Sequence, residues 1–423
     1  MVEDTRSRLD VPDAVCEIAK RLEESGYETW TVGGAVRDAL LGGYRSDWDL
    51  ATAARPADVR KLFRPSYPIG IQFGTVGVRA SDGRVYEVTT FRRDIETDGR
   101  HAVVEYAGTI EEDLARRDFT INAIAYHPLH HTFLDPFAGR EDLERRLLRC
   151  VGEPAQRFAE DYLRVLRGLR FAGRYRLEID FATWEALTVA VPRLPRLSAE
   201  RVREEILKLL AGPGASTGLA LYRQSGALAL VVPELAGLDD GAWEEILRTI
   251  DEIPVQRVHL RLVALLAPAG SEILALMTRL RFSNAEMRET LALSQALAVP
   301  LGAAGQVVAA RRWLRDVRPE RARDTLRLHF AHTRARAVGP AERRDLASRA
   351  RLALEVHRRG DPVTLDDLAI DGHDLKALGL EPGPEFGRIL ESCLETVIER
   401  PELNRRDVLL DYVRGSSPLR GPG

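Results

Sequence analysis

The first hundred residues alternate between a helical and an extended period of apolar positions. Val15, Ile18 and Leu22 recur at helical spacing within 11–25, a run that Gly26 ends. Apolar residues then crowd into 27–32, which predicts a strand, and reopen at helical spacing over 35–41. A second strand is expected over 47–53, and Pro56 opens a helix over 56–63, since proline suits a first helical turn. Two alternating stretches, 76–80 and 84–90, flank Ser81-Asp82-Gly83 and predict a hairpin. Residues 93–103 carry no period and include Asp98-Gly99, so they read as a mobile loop; strand character returns over 133–135. From Glu141 onward the pattern is almost wholly helical, punctuated by Gly212-Pro213, Pro268, Gly339-Pro340, Gly360 and Pro382-Gly383-Pro384. The fold class is therefore α+β: a small head of mixed sheet and helices, then an all-helical remainder. Its punctuation suggests a head over 1–140, a neck over 141–212, a body over 213–360 and a tail over 361–423.

Chemistry enters at the second strand. Residues two apart on a strand share a face, so Asp47 and Asp49 point one way while Trp48 and Leu50 pack behind them. Carboxylates at that separation repel, and a hard divalent cation bound through oxygen relieves the repulsion. Just upstream, Gly33-Gly34 opens a helix, which brings bare backbone N–H groups towards a phosphate. No third glycine and distant acid follow, so this is not a dinucleotide fingerprint, and no Gly-Lys-Ser/Thr follows, so it is not a P-loop. Acids beside a phosphate cradle read as nucleotidyl transfer.

Gly33-Gly34-Ala35-Val36-Arg37-Asp38 with Asp47-x-Asp49 resembles the first motif of the bacterial class II tRNA nucleotidyltransferases, the CCA-adding enzymes of the polymerase-beta-like superfamily. Arg116-Arg117-Asp118-Phe119-Thr120-Ile121-Asn122-Ala123 resembles their second motif, and Glu160-Asp161-x-x-Arg164 their base-selecting motif. The stretch Arg196–Lys208 is similar to the motif at their neck. The resemblance implies a polymerase-beta-like nucleotidyltransferase head, with Asp47 and Asp49 as catalytic Mg²⁺ ligands. It implies further that Gly33, Gly34, Arg37, Arg117, Arg164 and Arg167 surround the nucleotide's triphosphate, while Asp118 or Asn122 reads the ribose hydroxyl. Asp161 and Arg164, three apart on one expected helix, would share a face and form a protein template. Cytosine and adenine present an amino donor beside a ring-nitrogen acceptor, which a carboxylate next to a guanidinium complements. Glu87, on the strand expected over 84–90, is a candidate third carboxylate, with a solvent-facing role equally open.

Relatives with a His-Asp phosphohydrolase body carry that pair where this chain has Ala267-Pro268, so a second metal site is not expected there. The tail segment Asp371-Gly372-His373-Asp374 resembles the family's tRNA-gripping end, with His373 read as a loop residue.

Composition bounds the rest. At 423 residues the chain is too long for one core and suggests two to four domains. No apolar run is long enough to span a bilayer and no leader is evident, and three scattered cysteines suit a reducing compartment, so a cytoplasmic enzyme is expected. The net charge of −3 conceals fifteen Arg against six Asp or Glu over 311–359, a local balance of +9. That excess favours a nucleic-acid partner. The expected activity is addition of CCA to tRNA from CTP and ATP, with no membrane and no obligate protein partner. A CC-only or A-only enzyme remains an alternative, then a poly(A) polymerase, against which Gly70-Ile71-Gln72-Phe73-Gly74 speaks, and last a non-catalytic RNA-binding protein.

Overall fold

A computed structural model of the chain describes residues 8–43, 47–70, 74–97 and 102–416. Ile71-Gln72-Phe73 and Asp98-Gly99, quoted above, lie outside the described residues. The chain divides into two compact units, 1–237 and 238–423.

The first unit begins α1 (Asp13–Glu23), β1 (Thr29–Val32), α2 (Gly34–Leu40), β2 (Asp49–Thr52), α3 (Pro56–Leu62), β3 (Ser66–Gly70), β4 (Thr75–Arg79) and β5 (Val85–Thr90). It continues with β6 (Arg92–Thr97), β7 (Ala102–Tyr106), α4 (Ile110–Ala115), a 3₁₀ turn at Thr120–Asn122, β8 (Ala125–His127) and β9 (Thr132–Leu134). Seven strands form one mixed sheet in the order β3-β4-β5-β2-β1-β8-β9. The β4–β5 pair is the hairpin expected over Ser81-Asp82-Gly83, with Val78 opposite Tyr86. One face buries Leu50, Val76 and Val88 near Val15, Ile18 and Leu22 of α1 and Val59 of α3. The other packs Val32 and Ala51 against Ile110 and Leu114 of α4.

The described flanks of the loop expected over 93–103, residues 93–97 and 102–103, are strand. β6 and β7 pair antiparallel as a separate two-stranded sheet, closed at its base by Arg93–Glu105 at 2.7 Å. Backbone pairing supplies the order that side-chain periodicity does not advertise.

The helical part of this unit comprises α5 (Gly139–Glu144), the short β10 (Leu147–Leu148), α6 (Pro154–Glu160), α7 (Leu163–Tyr175), β11 (Glu178–Ile179), α8 (Phe181–Ala190), α9 (Ala199–Leu210), α10 (Ala215–Gln224) and α11 (Ala227–Val231). One continuous helix was expected across Phe158–Ala172; instead the chain breaks at Asp161, whose backbone is extended (φ −154°, ψ 107°).

In the second unit the helices are α12 (Asp240–Glu252), α13 (Val258–Leu266), α14 (Ile273–Arg279), α15 (Asn284–Ala298), α16 (Val307–Val317), α17 (Ala322–Ala335), α18 (Pro340–Arg359), α19 (Gly372–Ala377), α20 (Pro384–Glu399) and α21 (Arg406–Ser416). Trp313, Leu314, Leu326 and Val356 centre one core, and Leu375, Cys393, Val397 and Leu409 another. Val258–Arg279 is long and apolar enough to cross a membrane by composition, with a mean hydropathy of 1.7. It is no continuous rod, because Gly270 breaks it (φ 54°, ψ −118°). Leu260, Leu265, Leu276 and Met277 are buried in the unit, and buried Arg261 donates to the Ile253 carbonyl at 2.8 Å. Its apolarity serves a packed core. His373 sits in the first turn of α19, whose N-cap Asp371 accepts from its amide at 2.7 Å, rather than in a loop.

Candidate active site

Antiparallel pairing of β1 and β2 sets Val32 opposite Asp49, so Gly33-Gly34 and the acidic pair emerge at the same end of the sheet. The strand proper starts at Asp49, two residues later than expected, yet the alternation extends back to Asp47. Asp47 and Asp49 are exposed, while Trp48 and Leu50 are buried. β5 runs parallel to β2 with Val88 opposite Leu50, which brings Glu87 beside Asp49 on the solvent-facing side. Asp49 is open to the cleft but enclosed by protein on its other sides. That enclosure, then Glu87 and Asp47, raise its carboxyl to about 6 against the lowering effect of Arg117. The neighbouring acids are thus close enough to resist a shared negative charge. Among the described residues no three His, Cys, Asp or Glu side chains converge on one point. Glu87 raises the Asp49 carboxyl as a neighbouring charge.

Arginines face the acids across the cleft. Gly33 has φ +75°, which favours glycine, and a Cβ there would stand 2.9 Å from Arg117 Nη1, so that guanidinium would have to shift. Arg117 donates from Nη2 to Asp113 at 2.9 Å, and Arg116 donates to the same carboxylate at 2.8 Å. Asp113 lies 1% exposed on α4, whose N-cap Thr109 accepts the Glu112 amide. Burial raises the Asp113 carboxyl, but Arg117 and then Arg116 outweigh it and hold it below its usual range. This acid was missed in the sequence reading; its i+3 and i+4 spacing to the arginine pair was the available signal.

Behind these arginines runs a chain of buried polar contacts. Asp118 accepts from Arg167 Nη2 at 2.7 Å, from its own next amide (Phe119) at 2.9 Å and from Asn122 Nδ2 at 2.8 Å. Burial pushes its carboxyl up, yet Arg167 and those hydrogen bonds hold it far below the carboxylate range. Asn122 accepts from Arg37, which also donates to Asp38 at 2.7 Å and to the Tyr175 hydroxyl at 2.6 Å. Arg37 is 5% exposed and stacks on Phe171 and Tyr175. It lines the cleft wall with its guanidinium already committed. Below, Asp142 accepts from Thr120 and Arg149, clamping the 118–122 turn; its role was also not read from sequence.

The neck contributes the remaining wall. Arg164 donates to Glu160 and to the carbonyls of Arg157 (2.8 Å) and Arg116 (3.0 Å). Because the helix breaks at Asp161, the expected shared face of Asp161 and Arg164 does not form. Asp161 instead meets Arg201 Nη2 at 2.7 Å. Arg170 pairs with Glu205 at 2.6 Å, both buried, fixing α9 to α7. Ser198 is the N-cap of α9 as expected, without a side-chain cap bond. All the expected site residues except Asp47 line one cleft of about 640 Å³, together with Glu87, Asp113, Arg116 and Arg201. Asp47 lines an adjoining hollow of about 420 Å³, to which Asp49 and Glu87 are common.

Acids at the start of the central strand, sharing one cleft with fixed guanidinium groups, define a nucleotidyltransferase. Family models concur: residues 29–149 match the poly A polymerase head domain, 176–238 the RNA and SrmB-binding site of polymerase A, and 258–413 tRNA nucleotidyltransferase domain 2. The CCA-adding enzyme of Lactiplantibacillus plantarum is 32% identical over 413 residues, 94% of each chain. That of Geobacillus thermodenitrificans is 44% identical over 228 residues, so the match spans 53% of this chain and 55% of the relative. The crystal structure of Bacillus stearothermophilus CCA-adding enzyme in complex with CTP superposes with a TM-score of 0.79 at 32% identity, covering 95% of this chain and 96% of that one. The chain belongs to the CCA-adding enzyme family of tRNA nucleotidyltransferases.

Proposed function

We propose that this chain adds CCA to the 3′ end of tRNA, taking CMP and AMP from CTP and ATP without a nucleic-acid template and releasing pyrophosphate. The observation that carries this reading is the single cleft in which Asp49 confronts Arg116 and Arg117, with Asp161 on the same wall.

Asp47 and Asp49 offer only oxygen donors and share a hollow with Glu87, so the pair fits a hard cation such as Mg²⁺. When bound, such ions acidify the RNA's 3′-hydroxyl and offset charge on the α-phosphate and the leaving pyrophosphate. The chain's own residues position the reactants. Arg117, held by Asp113 and passing close over Gly33, presents fixed positive charge to the triphosphate, with Arg116, Arg164 and Arg167 around it. Arg37 contributes by locking Asn122, and Asp118 with Asn122 presents polar edges to the ribose. Asp161 accepts the exocyclic amino group of cytosine or adenine; uracil and guanine would turn a carbonyl oxygen towards it.

The second unit supplies tRNA contact. On α18, Arg344, Arg351 and Arg358 are exposed at seven-residue spacing, about 10 Å apart along the helix, and carry no ion pair among the described residues. Such a row suits a phosphate backbone. With tRNA as substrate, the cytoplasm is the enzyme's place.

Extension of tRNAs ending at the discriminator base, in C and in CC, with CTP, ATP or both tests the proposal. Completion of CCA from all three primers is expected. Products stopping at CC, arising only from the CC primer, or running to long A tracts would each replace it with a narrower or different transferase.

A further inference from the structure

Asp161 does not stand where its helix alone would put it. The break between α6 and α7 leaves it extended, and its Oδ1 accepts the Leu163 amide at 3.0 Å. Its Oδ2 accepts Arg201 Nη2 at 2.7 Å, from a residue forty positions further along the chain. Each oxygen thus has one hydrogen bond from the protein and capacity for another. Both side chains are about one-quarter to one-third exposed (26% and 30%) and line the cleft. The guanidinium nearest in sequence, Arg164, is held by Glu160 and two carbonyl oxygens on the other side.

Arg201 is itself presented from a fixed support. It lies in the first turn of α9, and the buried Arg170–Glu205 pair ties that helix to α7, whose start carries Leu163. Two elements therefore converge on one carboxylate. Held only by the Leu163 amide, Asp161 could rotate its free lone pairs away from a base edge.

We propose that Arg201 is a positioning residue for base selection: it orients the Asp161 carboxylate so that an amino group on the incoming base, and not a carbonyl, finds an acceptor. The inference rests on the reading of Asp161 given under the proposed function. Its effect falls on which nucleotide is chosen. A residue that merely held the neck together would lower use of all four nucleotides equally.

The test uses the full-length chain with Arg201→Ala, Arg201→Lys and Asp161→Ala. Single-nucleotide addition of CTP and UTP to tRNA ending at the discriminator base, and of ATP and GTP to tRNA ending in CC, gives kcat and KM for each pair. Arg201→Ala should lower the CTP:UTP and ATP:GTP preferences roughly tenfold, the size of one lost base contact, mainly through a higher KM for the correct nucleotide. Arg201→Lys should restore part of the preference. Thermal unfolding of each variant separates loss of fold from loss of selection. Unchanged preference in Arg201→Ala beside an altered one in Asp161→Ala overturns the positioning role alone. Unchanged preference in both overturns the Asp161 reading and this inference with it. An equal fall for all four nucleotides that lysine does not rescue reduces Arg201 to a structural tie.

Discussion

The cleft and the arginine-rich stretch 311–359 both present concentrated positive charge, but they hold it differently. In the cleft, four guanidiniums are gripped by nearly inaccessible acids: Arg116 and Arg117 by Asp113, Arg167 by Asp118, Arg170 by Glu205. In the second unit most of the excess is spent internally on acids from elsewhere in sequence. Arg312 meets Glu395 and Glu399, Arg315 meets Glu395, Arg311 meets Asp361, and Arg321 meets Glu289. The local +9 therefore overstates what that surface offers to RNA, whereas the first unit gathers its guanidiniums about one cleft. Charge counted along a chain measures supply; only the fold decides what is left over.

Removing one buried acid should produce the largest effect. Asp118→Ala strands Arg167 in the cleft wall, which costs about 3–5 kcal/mol and should lower the first unit's unfolding temperature by roughly 10 °C or more in calorimetry. A smaller change would mean that the wall is softer than its contacts indicate. Next comes the unspent row: Arg344, Arg351 and Arg358 all changed to Gln should weaken tRNA binding roughly tenfold or more and make its salt dependence shallower by about two to three in slope. An unaltered slope in binding isotherms would locate the RNA elsewhere.

Asp49 gives a smaller effect with a definite sign. Its folded carboxyl titrates near 6 against an ordinary 3.8, so the unfolded chain releases this proton first. Stability is lost as pH rises from about 4 to 6 and stays lost above. Without divalent metal, Asp49→Asn should therefore raise the unfolding temperature at pH 7.5 by roughly 2–4 °C, about 1 kcal/mol after allowance for solvent screening, with no gain below pH 4. Equal shifts at both pH values would separate the gain from ionisation. Smallest of all, Arg312→Ala removes an ion pair whose members are 44% and 57% exposed, and chemical denaturation should register no more than about 1 kcal/mol.

Much of this was legible in the chain. The order strand, Gly-Gly, helix, Asp-x-Asp needs only local rules, and β1, α2 and β2 fall within two residues of their expected positions. The buried Trp48 between exposed acids follows from the strand period alone. Three features were not legible, each for a stated cause. The β6–β7 pair is ordered by backbone pairing between the charged strand Arg92–Thr97 and the apolar-rich Ala102–Tyr106, neither of which alternates cleanly enough to read. The break at Asp161 interrupts a perfect helical period because a side chain caps the next helix and Arg201 reaches it from forty residues away, a tertiary cause. Arg37 reads as a phosphate ligand by motif, but that Asn122, Asp38 and Tyr175 take three of its five N–H donors was not readable, since two of those partners lie more than eighty residues distant.

The central claim is that the acids at the start of the central strand β2 drive transfer while the rest of the cleft binds. Purified Asp47→Asn and Asp49→Asn, assayed with wild type for Mg²⁺-dependent incorporation of labelled CMP into tRNA alongside tRNA affinity, test it most directly. Wild type should extend, and both variants should lose at least about a thousandfold in rate while binding tRNA as before. Either variant extending tRNA at a rate near wild type would contradict the account.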